Sequence, residues 1–480
     1  MIHKYKNAVA VFIGFQTIFT WFYIFTIQRD ISSDSVNFHF NMSNKMEYNV
    51  LVPKMNNVKP TNIRKQTTPE SLNFSHTSNG DCNEIELPVE LLQVDTWSPI
   101  DKDGAVYVFA AYIVEQNGRV EALGASINPA PEVFCQYWHI ADDNITLIIS
   151  VHTAVVRWLP ENHGRKYTGA IFECPASVLH VRYVSLTTSK CDIPLNLLQL
   201  TNAILPNRYQ RIFTVCLKPL HFSYNEIFEL IEWIELNKIL GADKFVIYVF
   251  SISNNTAKVL DYYVKQGIVE LVRWNLPMKS YTWPKTNDPI EIHSNGMVLS
   301  IQDCLMRNKA HSEFIVNIDV DEFIIPRSEH KITWHDMMKQ LSSVCDTYIF
   351  RNVFFRKDWN STSDSIDFHG NDLAKKYNLV TLQKILREKQ IFDAKIRSKY
   401  FTKTTKTDKV LMVHDVQGGK TQTVPVTIGM LHHYRNWENP NKPLTRIRDD
   451  LIVTKYGDKL IENIQITWSK QGNVKSDTNM

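Results

Sequence analysis

The densest chemistry in the sequence is a short acidic segment. It reads Glu313-Phe314-Ile315-Val316-Asn317-Ile318-Asp319-Val320-Asp321-Glu322-Phe323. An apolar run delivers the chain into two aspartates spaced two apart. In an extended backbone, side chains at i and i+2 share a face, so Asp319 and Asp321 would address one ligand while Val320 packs behind them. Two carboxylates at one point suit a hard divalent cation whose other positions are filled by phosphate oxygens and water. A bare Asp-x-Asp is a weak signal, and the chain holds another, Asp101-Lys102-Asp103, in a polar turn flanked by Pro99 and Gly104. That copy reads as solvated loop. The copy at 319–321 differs in context, because isolated aspartates beside so apolar a strand are costly without partners.

The surrounding elements decide where the pair would sit. Residues 211–218 read as a strand. A helix then starts at Ser223, with Ser223 and Glu226 as an S-x-x-E capping box, and Ile227, Leu230, Ile231 and Ile234 follow at helical spacing until Gly241. Strands at 244–250 and 268–274 flank a helix at 257–266 that Gly267 ends. A helix at 297–308 leads to a fourth strand at 314–319. Apolar strands alternating with helices predict an α/β domain with a mostly parallel sheet covered on both faces. Ligands of such sheets bind beyond the carboxyl ends of the strands, which is where the acidic pair falls.

Upstream the rhythm differs. Short apolar runs at 105–114, 145–151, 154–159 and 178–186 are separated by turn signals, with Asn117-Gly118 placed as a hairpin turn. They predict a β-rich, sandwich-like subdomain over 86–207, in which no chemistry is identifiable. Residues 8–27 carry no charged side chain, and a helix of about 20 residues is about 30 Å long, enough to span a bilayer. Lys4 and Lys6 precede it, which keeps the short tail 1–7 cytosolic and the rest lumenal. A cleaved signal peptide is the competing reading, but the run exceeds a signal core and no A-x-A-like site follows. Residues 28–85, rich in Asn, Ser, Thr and Lys, read as a flexible stem. The catalytic region would span 208–440 and a C-terminal extension 441–480.

Net charge is +3, too mild to suggest a nucleic-acid partner. Hydrophobic residues make up 44% of the chain, enough for a sizeable core. The seven cysteines include no C-x-x-C pair, and an odd count leaves at least one outside any intrachain disulfide. Sequons at Asn41, Asn73, Asn144, Asn254 and Asn360 agree with a secretory route.

Several linked segments resemble glycosyltransferase family 92. They are Thr214-Val215-Cys216-Leu217-Lys218-Pro219, Glu232-Trp233-Ile234 with Leu240-Gly241-Ala242, Lys244-Phe245-Val246-Ile247-Tyr248, Gln302-Asp303-Cys304-Leu305 and Ile318-Asp319-Val320-Asp321-Glu322-Phe323. Later pieces are Arg397-Ser398-Lys399-Tyr400, Val413-His414 and His432-His433-Tyr434-Arg435. The resemblance covers roughly 209–437. It implies a GT-A (Rossmann-like) catalytic domain, a UDP-sugar donor (UDP-galactose in animal members), a glycan or glycoprotein acceptor, inverting transfer, and Mn²⁺ or Mg²⁺. It further implies a Golgi, single-pass type II membrane protein anchored through residues 8–27.

On that basis Asp319 and Asp321 would hold the metal, with His414 as third ligand and His432 or His433 as alternatives. Pro219, Arg397, Lys399 and Arg435 would face the donor. Glu322 beside the pair is one candidate for the general base, although it could equally anchor the turn. Asp358, Asp364, Asp367 and Asp415 are the others. A non-catalytic carbohydrate-binding protein, a glycosidase with two opposed carboxyls, and a transferase using another UDP-sugar are the rival functions.

Overall fold

In a computed structural model, the described residues run from 82 to 471, apart from 83–84, 86–87, 93, 115–118, 141–146, 176–180, 283–285, 329–332, 360–369 and 437–444. The apolar run at 8–27 and nearly all of the stem lie outside them. Among the described residues no helix is long and apolar enough to cross a membrane. Of the sequons, only Asn254 is described, and it is exposed at a helix start.

The upstream region forms one nine-stranded sheet. Its expected hairpin is present, since Val106–Ile113 and Val120–Ile127 pair antiparallel. The sheet curls so that Val108, Ala122 and Phe172 from one part meet Tyr137, Val184 and Leu186 from another, as sandwich layers do. A disulfide between Cys135 and Cys174 fastens the two parts. The alternate residues Phe109, Tyr112, Leu123 and Ile171 point the other way and enter a core shared with the second half of the chain. A further disulfide, Cys82–Cys191, ties the start of the described chain to the same region. The decoy acid Asp101 is structural: its carboxylate accepts the backbone N–H groups of Ala105 and Val106 at 2.9 and 3.0 Å.

In the second half, the strands that carry the site are β1 (Arg211–Leu220), β2 (Lys244–Val249), β3 (Val269–Arg273), β4 (Ser312–Asn317), β5 (Glu322–Pro326), β6 (Thr347–Phe350), β7 (Asn352–Phe355), β8 (Lys399–Lys403), β9 (Thr421–Thr423) and β10 (Gly429–Tyr434). The helices are α1 (Ile227–Leu240), α2 (Asn254–Lys265), α3 (Met297–Asn308) and α4 (Leu451–Lys470). A seven-stranded sheet takes the order β3-β2-β1-β4-β8-β6-β9. Its first four strands are parallel, as their apolar runs predict. Beyond β4 it is mixed, because β8 joins antiparallel. A smaller sheet places β5 against β10 and β10 against β7.

The central strands are mostly apolar because both faces are covered. Phe213, Val215 and Leu217 of β1 pack with α1 and α2. Cys216 between them turns to the opposite side, where it is disulfide-bonded to Cys304 of α3. Helix α1 is buried almost all round, since α4 covers its far side and Thr467 donates to Glu235 at 3.1 Å.

Two helix starts differ from the sequence expectation. No capping box forms at Ser223 and Glu226. Ser223 sits at φ +51 with its hydroxyl 3.3 Å from Ser251, so it cannot reach the first turn, and α1 begins at Ile227. Helix α2 starts three residues earlier than its apolar pattern suggests, because Ser253 caps it by accepting the N–H of Thr256 at 3.1 Å.

Candidate active site

Strand β4 ends at Asn317, and the chain then turns between Asp319 and Glu322. The turn is closed twice. Glu322 N–H donates to the Asp319 carbonyl at 3.1 Å, and the Glu322 side chain accepts the Asp319 N–H at 2.9 Å. This corrects the extended geometry expected from sequence. The two aspartates share a site because a tight turn presents them, with Val320 packed on the core beneath. Strand β10 then holds the far side of the turn, with Tyr434 N–H donating to the Asp321 carbonyl at 2.8 Å.

Three basic side chains converge on the pair. Lys218 Nζ, on the neighbouring strand β1, is 2.9 Å from Asp319 Oδ2. Lys399 Nζ, at the start of β8, is 3.3 Å from the same oxygen and 3.4 Å from Glu322 Oε2. His433 of β10 bridges two acids, with Nε2 3.2 Å from Asp321 Oδ2 and Nδ1 3.2 Å from Glu322 Oε1. Burial alone would push both aspartates up. Lys218 and Lys399 outweigh it at Asp319, and His433 does so at Asp321, so both sit below the usual carboxylate range. Burial lowers Lys399 too, but Asp319 and Glu322 reverse that and keep it charged. At Glu322 burial dominates and raises its proton affinity.

The other expected residues separate into those brought to this point and those held elsewhere. His414 arrives on the turn between Lys409–Met412 and Asp415–Gln417. That turn is pinned to the end of β4, because Asn317 donates to the Val413 carbonyl at 2.9 Å. His414 Nδ1 lies 2.7 Å from the Ser398 carbonyl and donates to it, which leaves the Nε2 lone pair for a ligand. Burial, with Lys399 adding to it, holds the His414 imidazole down to about 4.

His432 is turned away. It stacks on Phe355 and meets Arg327 at 3.2 Å on the opposite face of β10, since consecutive strand residues point to opposite sides. His433 does lie beside the acids, but both its ring nitrogens are engaged.

The donor-facing candidates also divide. Lys399 is 1% exposed and clamped between Asp319 and Glu322, so it organises the acids rather than offering charge to a phosphate. Pro219 is a buried residue within β1, not in a loop after it. The Arg397 guanidinium lies over the rings of Phe354 and Phe392 at 5.5 and 5.8 Å. Arg435 Nε contacts the carbonyl of Asn436 at 3.4 Å.

Of the base candidates, Glu322 anchors the turn and is 2% exposed. Asp358 is held in a two-bond pair by Arg356, at 2.9 and 2.8 Å. Asp415 pairs with Lys395 at 2.8 Å. Asp364 and Asp367 lie outside the described residues.

Sequence reasoning missed Lys218 and Glu229. Lys218 could have been found from its place: Cys216 of β1 pairs with Asn317 of β4, so the residues two further on run side by side. Glu229, in the first turn of α1, pairs with Lys357 at 2.6 Å and lies within electrostatic reach of Asp321. Burial raises its proton affinity, Lys357 opposes this, and the side chain keeps 20% exposure.

The sequence model of glycosyltransferase family 92 matches residues 211–471, more than half of the chain. The chain belongs to glycosyltransferase family 92. It is 27% identical over 177 residues to the beta-1,4-galactosyltransferase galt-1 of Caenorhabditis elegans, covering 35% of this chain and 40% of that protein. A second Caenorhabditis elegans protein, described as a family 92 glycosyltransferase, is 29% identical over 114 residues, or 22% of its length. The matches thus span less than half of either relative. Among solved structures, Staphylococcus aureus TarS 1-349 in complex with UDP-GlcNAc aligns at 9% identity over 48% of this chain and 60% of that one. Its TM-score is 0.25, too low to bear on fold or ligand.

Two family 92 segments hold other elements in place. Gln302 accepts the N–H of Val410 at 2.7 Å, which fixes the hairpin that carries His414. Glu232 accepts the N–H groups of Val380 and Thr381, both at 2.8 Å, and so caps the short helix Val380–Gln383.

Proposed function

We propose that this glycosyltransferase is a GT-A type, inverting enzyme that transfers galactose from UDP-galactose to a glycan hydroxyl with the help of Mn²⁺ or Mg²⁺. The observation that carries the reading is the acidic turn at the end of a parallel strand, with His414 pinned beside it. The donor types suit a hard divalent ion, although the ligand atoms of Asp319, Asp321 and His414 do not all lie within 4.8 Å of one another and would have to draw together to hold it. Among the described residues, the side-chain contacts of both aspartates run through Oδ2, so Oδ1 of each is left for coordination. His414 Nε2 adds a neutral nitrogen. Bound there, the ion would act as a Lewis acid toward the diphosphate.

The chain's own residues account for the remaining steps. Lys218, 35% exposed, adds positive charge beside the departing UDP. The acceptor oxygen attacks the anomeric carbon, the bond from that carbon to the diphosphate oxygen breaks, and UDP leaves with the electron pair. Glu229, 20% exposed and within electrostatic reach of Asp321, would take the acceptor proton once its ion pair with Lys357 opens. The name of the galt-1 relative supports galactose as the donor sugar. Three disulfides, at Cys82–Cys191, Cys135–Cys174 and Cys216–Cys304, support an oxidising lumen. With the apolar run at 8–27, they favour a Golgi membrane protein of type II.

Lys218 also favours a second reading, in which this lysine neutralises the diphosphate without a metal, since its side chain is 35% exposed and its Nζ is 2.9 Å from Asp319. A UDP-release assay with UDP-galactose, UDP-glucose, UDP-N-acetylglucosamine and UDP-glucuronate, run with and without chelator, separates the two. The metal reading expects turnover with UDP-galactose that chelator abolishes, and a drop of about 10²–10³-fold in Asp319→Asn and Asp321→Asn. Full rate in excess chelator would select the lysine reading. Full rate in either aspartate variant would remove the site altogether.

A further inference from the structure

Away from the acidic turn, the loop after Trp158 and the segment before α3 bring Glu161, His163 and His293 together. One ligand atom from each lies within 4.8 Å of the others. His163 and His293 stack with ring centroids 3.9 Å apart, and His163 Nε2 is 3.4 Å from Glu161 Oε1. Tetrahedral zinc, with bonds of about 2.0–2.1 Å, separates its donors by about 3.4 Å. The glutamate divides its oxygens. Oε2 accepts the N–H of Val413 at 3.0 Å, while Oε1 faces His163. His293 Nδ1 is buried without a hydrogen-bond partner among the described residues, a costly state for a ring nitrogen. The cavity beside Glu161 and His293 has a volume of about 20 Å³, with Leu159 and Ile292 in its wall; His163 stands outside it, 55% exposed, at the solvent side of the cluster. That volume is far too little for a sugar or nucleotide.

We propose that Glu161, His163 and His293 bind a divalent transition ion of the zinc class, through one carboxylate oxygen and one nitrogen of each ring, with a further position open to water. Two imidazoles and one carboxylate suit zinc better than magnesium or calcium, whereas the oxygen-rich acidic turn suits a harder ion. The nearby cations are engaged elsewhere. Arg165 Nη2 lies 3.4 Å from the Tyr281 hydroxyl, and Lys166 pairs with Glu291 at 3.2 Å. The ion would join the loop after Trp158 in the upstream sheet to the start of α3. Through the bond from Val413 to Glu161, it would also steady the turn that carries His414.

The test uses the full-length protein, stripped with chelator and then loaded with Zn²⁺ or with Co²⁺ as its spectroscopic surrogate. Retained zinc is counted by elemental mass spectrometry after gel filtration, and cobalt is followed by visible absorption. Wild type and Asp319→Asn should each retain one zinc and show the cobalt band. His163→Asn and Glu161→Gln should bind at least about tenfold more weakly and lose the band. Both variants suit their positions: Asn tolerates the φ of +55 at residue 163, and Gln keeps an acceptor for Val413. Equal retention by wild type and both variants overturns the proposal, as does no retention by wild type. Zinc lost in Asp319→Asn but kept in His163→Asn also overturns it, by assigning the ion to the acidic turn. Because Asp319→Asn should slow transfer by about 10²–10³-fold yet leave this zinc in place, the two proposals fail separately.

Discussion

Lys399 and Lys218 both contact Asp319, and their burial gives them different jobs. Lys399 is 1% exposed and sits between two acids. Removing a buried charge from such a cluster leaves like charges facing one another, at a cost of about 3–5 kcal/mol. Lys399→Met should therefore lower the urea unfolding free energy by about that amount. Lys218 is 35% exposed, and partly solvated pairs contribute about 0–1 kcal/mol. Lys218→Met should leave stability nearly unchanged while raising KM for the donor. A stability loss as large for Lys218 as for Lys399 would contradict this division. Neither role was legible in the sequence. Asp319 and Asp321 stood out through their strand context, but the partners that set their charge lie on β1, β8 and β10, far along the chain.

At the scale of elements, covalent and electrostatic ties hold the site's supports. The Cys216–Cys304 disulfide joins β1 to α3, and the odd cysteine of the sequence is Cys345, which is free. Replacing Cys216 and Cys304 together by Ala should cost about 2–5 kcal/mol, read as a lower melting temperature. Strand β10 meets the segment before α4 through His432, Arg327, Arg387 and Asp449, with both arginines 2.8 Å from Asp449. Burial holds His432 down to about 3, against about 6.5 in an unfolded chain. Between those values the unfolded chain binds a proton that the folded chain refuses. Stability must then fall as pH is lowered from about 6.5 toward 3. Asp449, held below its usual range, adds to the loss at the acid end. Urea midpoints measured across that window should slope less steeply in His432→Gln; an identical slope would show that His432 is not the titrating group.

Across the whole molecule, the upstream sheet and the catalytic sheet share one core. Trp274, just after β3, is 1% exposed and sits among Trp97 at 5.1 Å, Phe109 at 4.6 Å and Tyr248 at 5.1 Å. Two of those rings come from the upstream region and one from β2. The wild-type regions should accordingly unfold together, with far-UV and near-UV signals coincident. Trp274→Ala should cost about 3–5 kcal/mol and split the signals into two transitions. A single, unshifted transition would mean that the shared core does not couple the regions.

What the sequence determined by itself was whatever depends on near neighbours. Four mostly apolar runs specified parallel strands, since a strand covered on both faces must be apolar over most of its length. The last of them placed Asp319 and Asp321 at a strand end, and linked motifs tied that end to a family. The tertiary structure decided what depends on chain segments far apart. It replaced the extended Asp-x-Asp with a turn closed by Glu322, and it split the neighbours His432 and His433 between opposite faces of β10. It also gave a role to the upstream sheet, where no chemistry was legible: Glu161 reaches Val413, 252 residues away, and meets His293 across the shared core. Periodicity records which face a side chain takes, but not which distant residue waits on that face, and both the charge on the acidic turn and the second cluster depend on the latter.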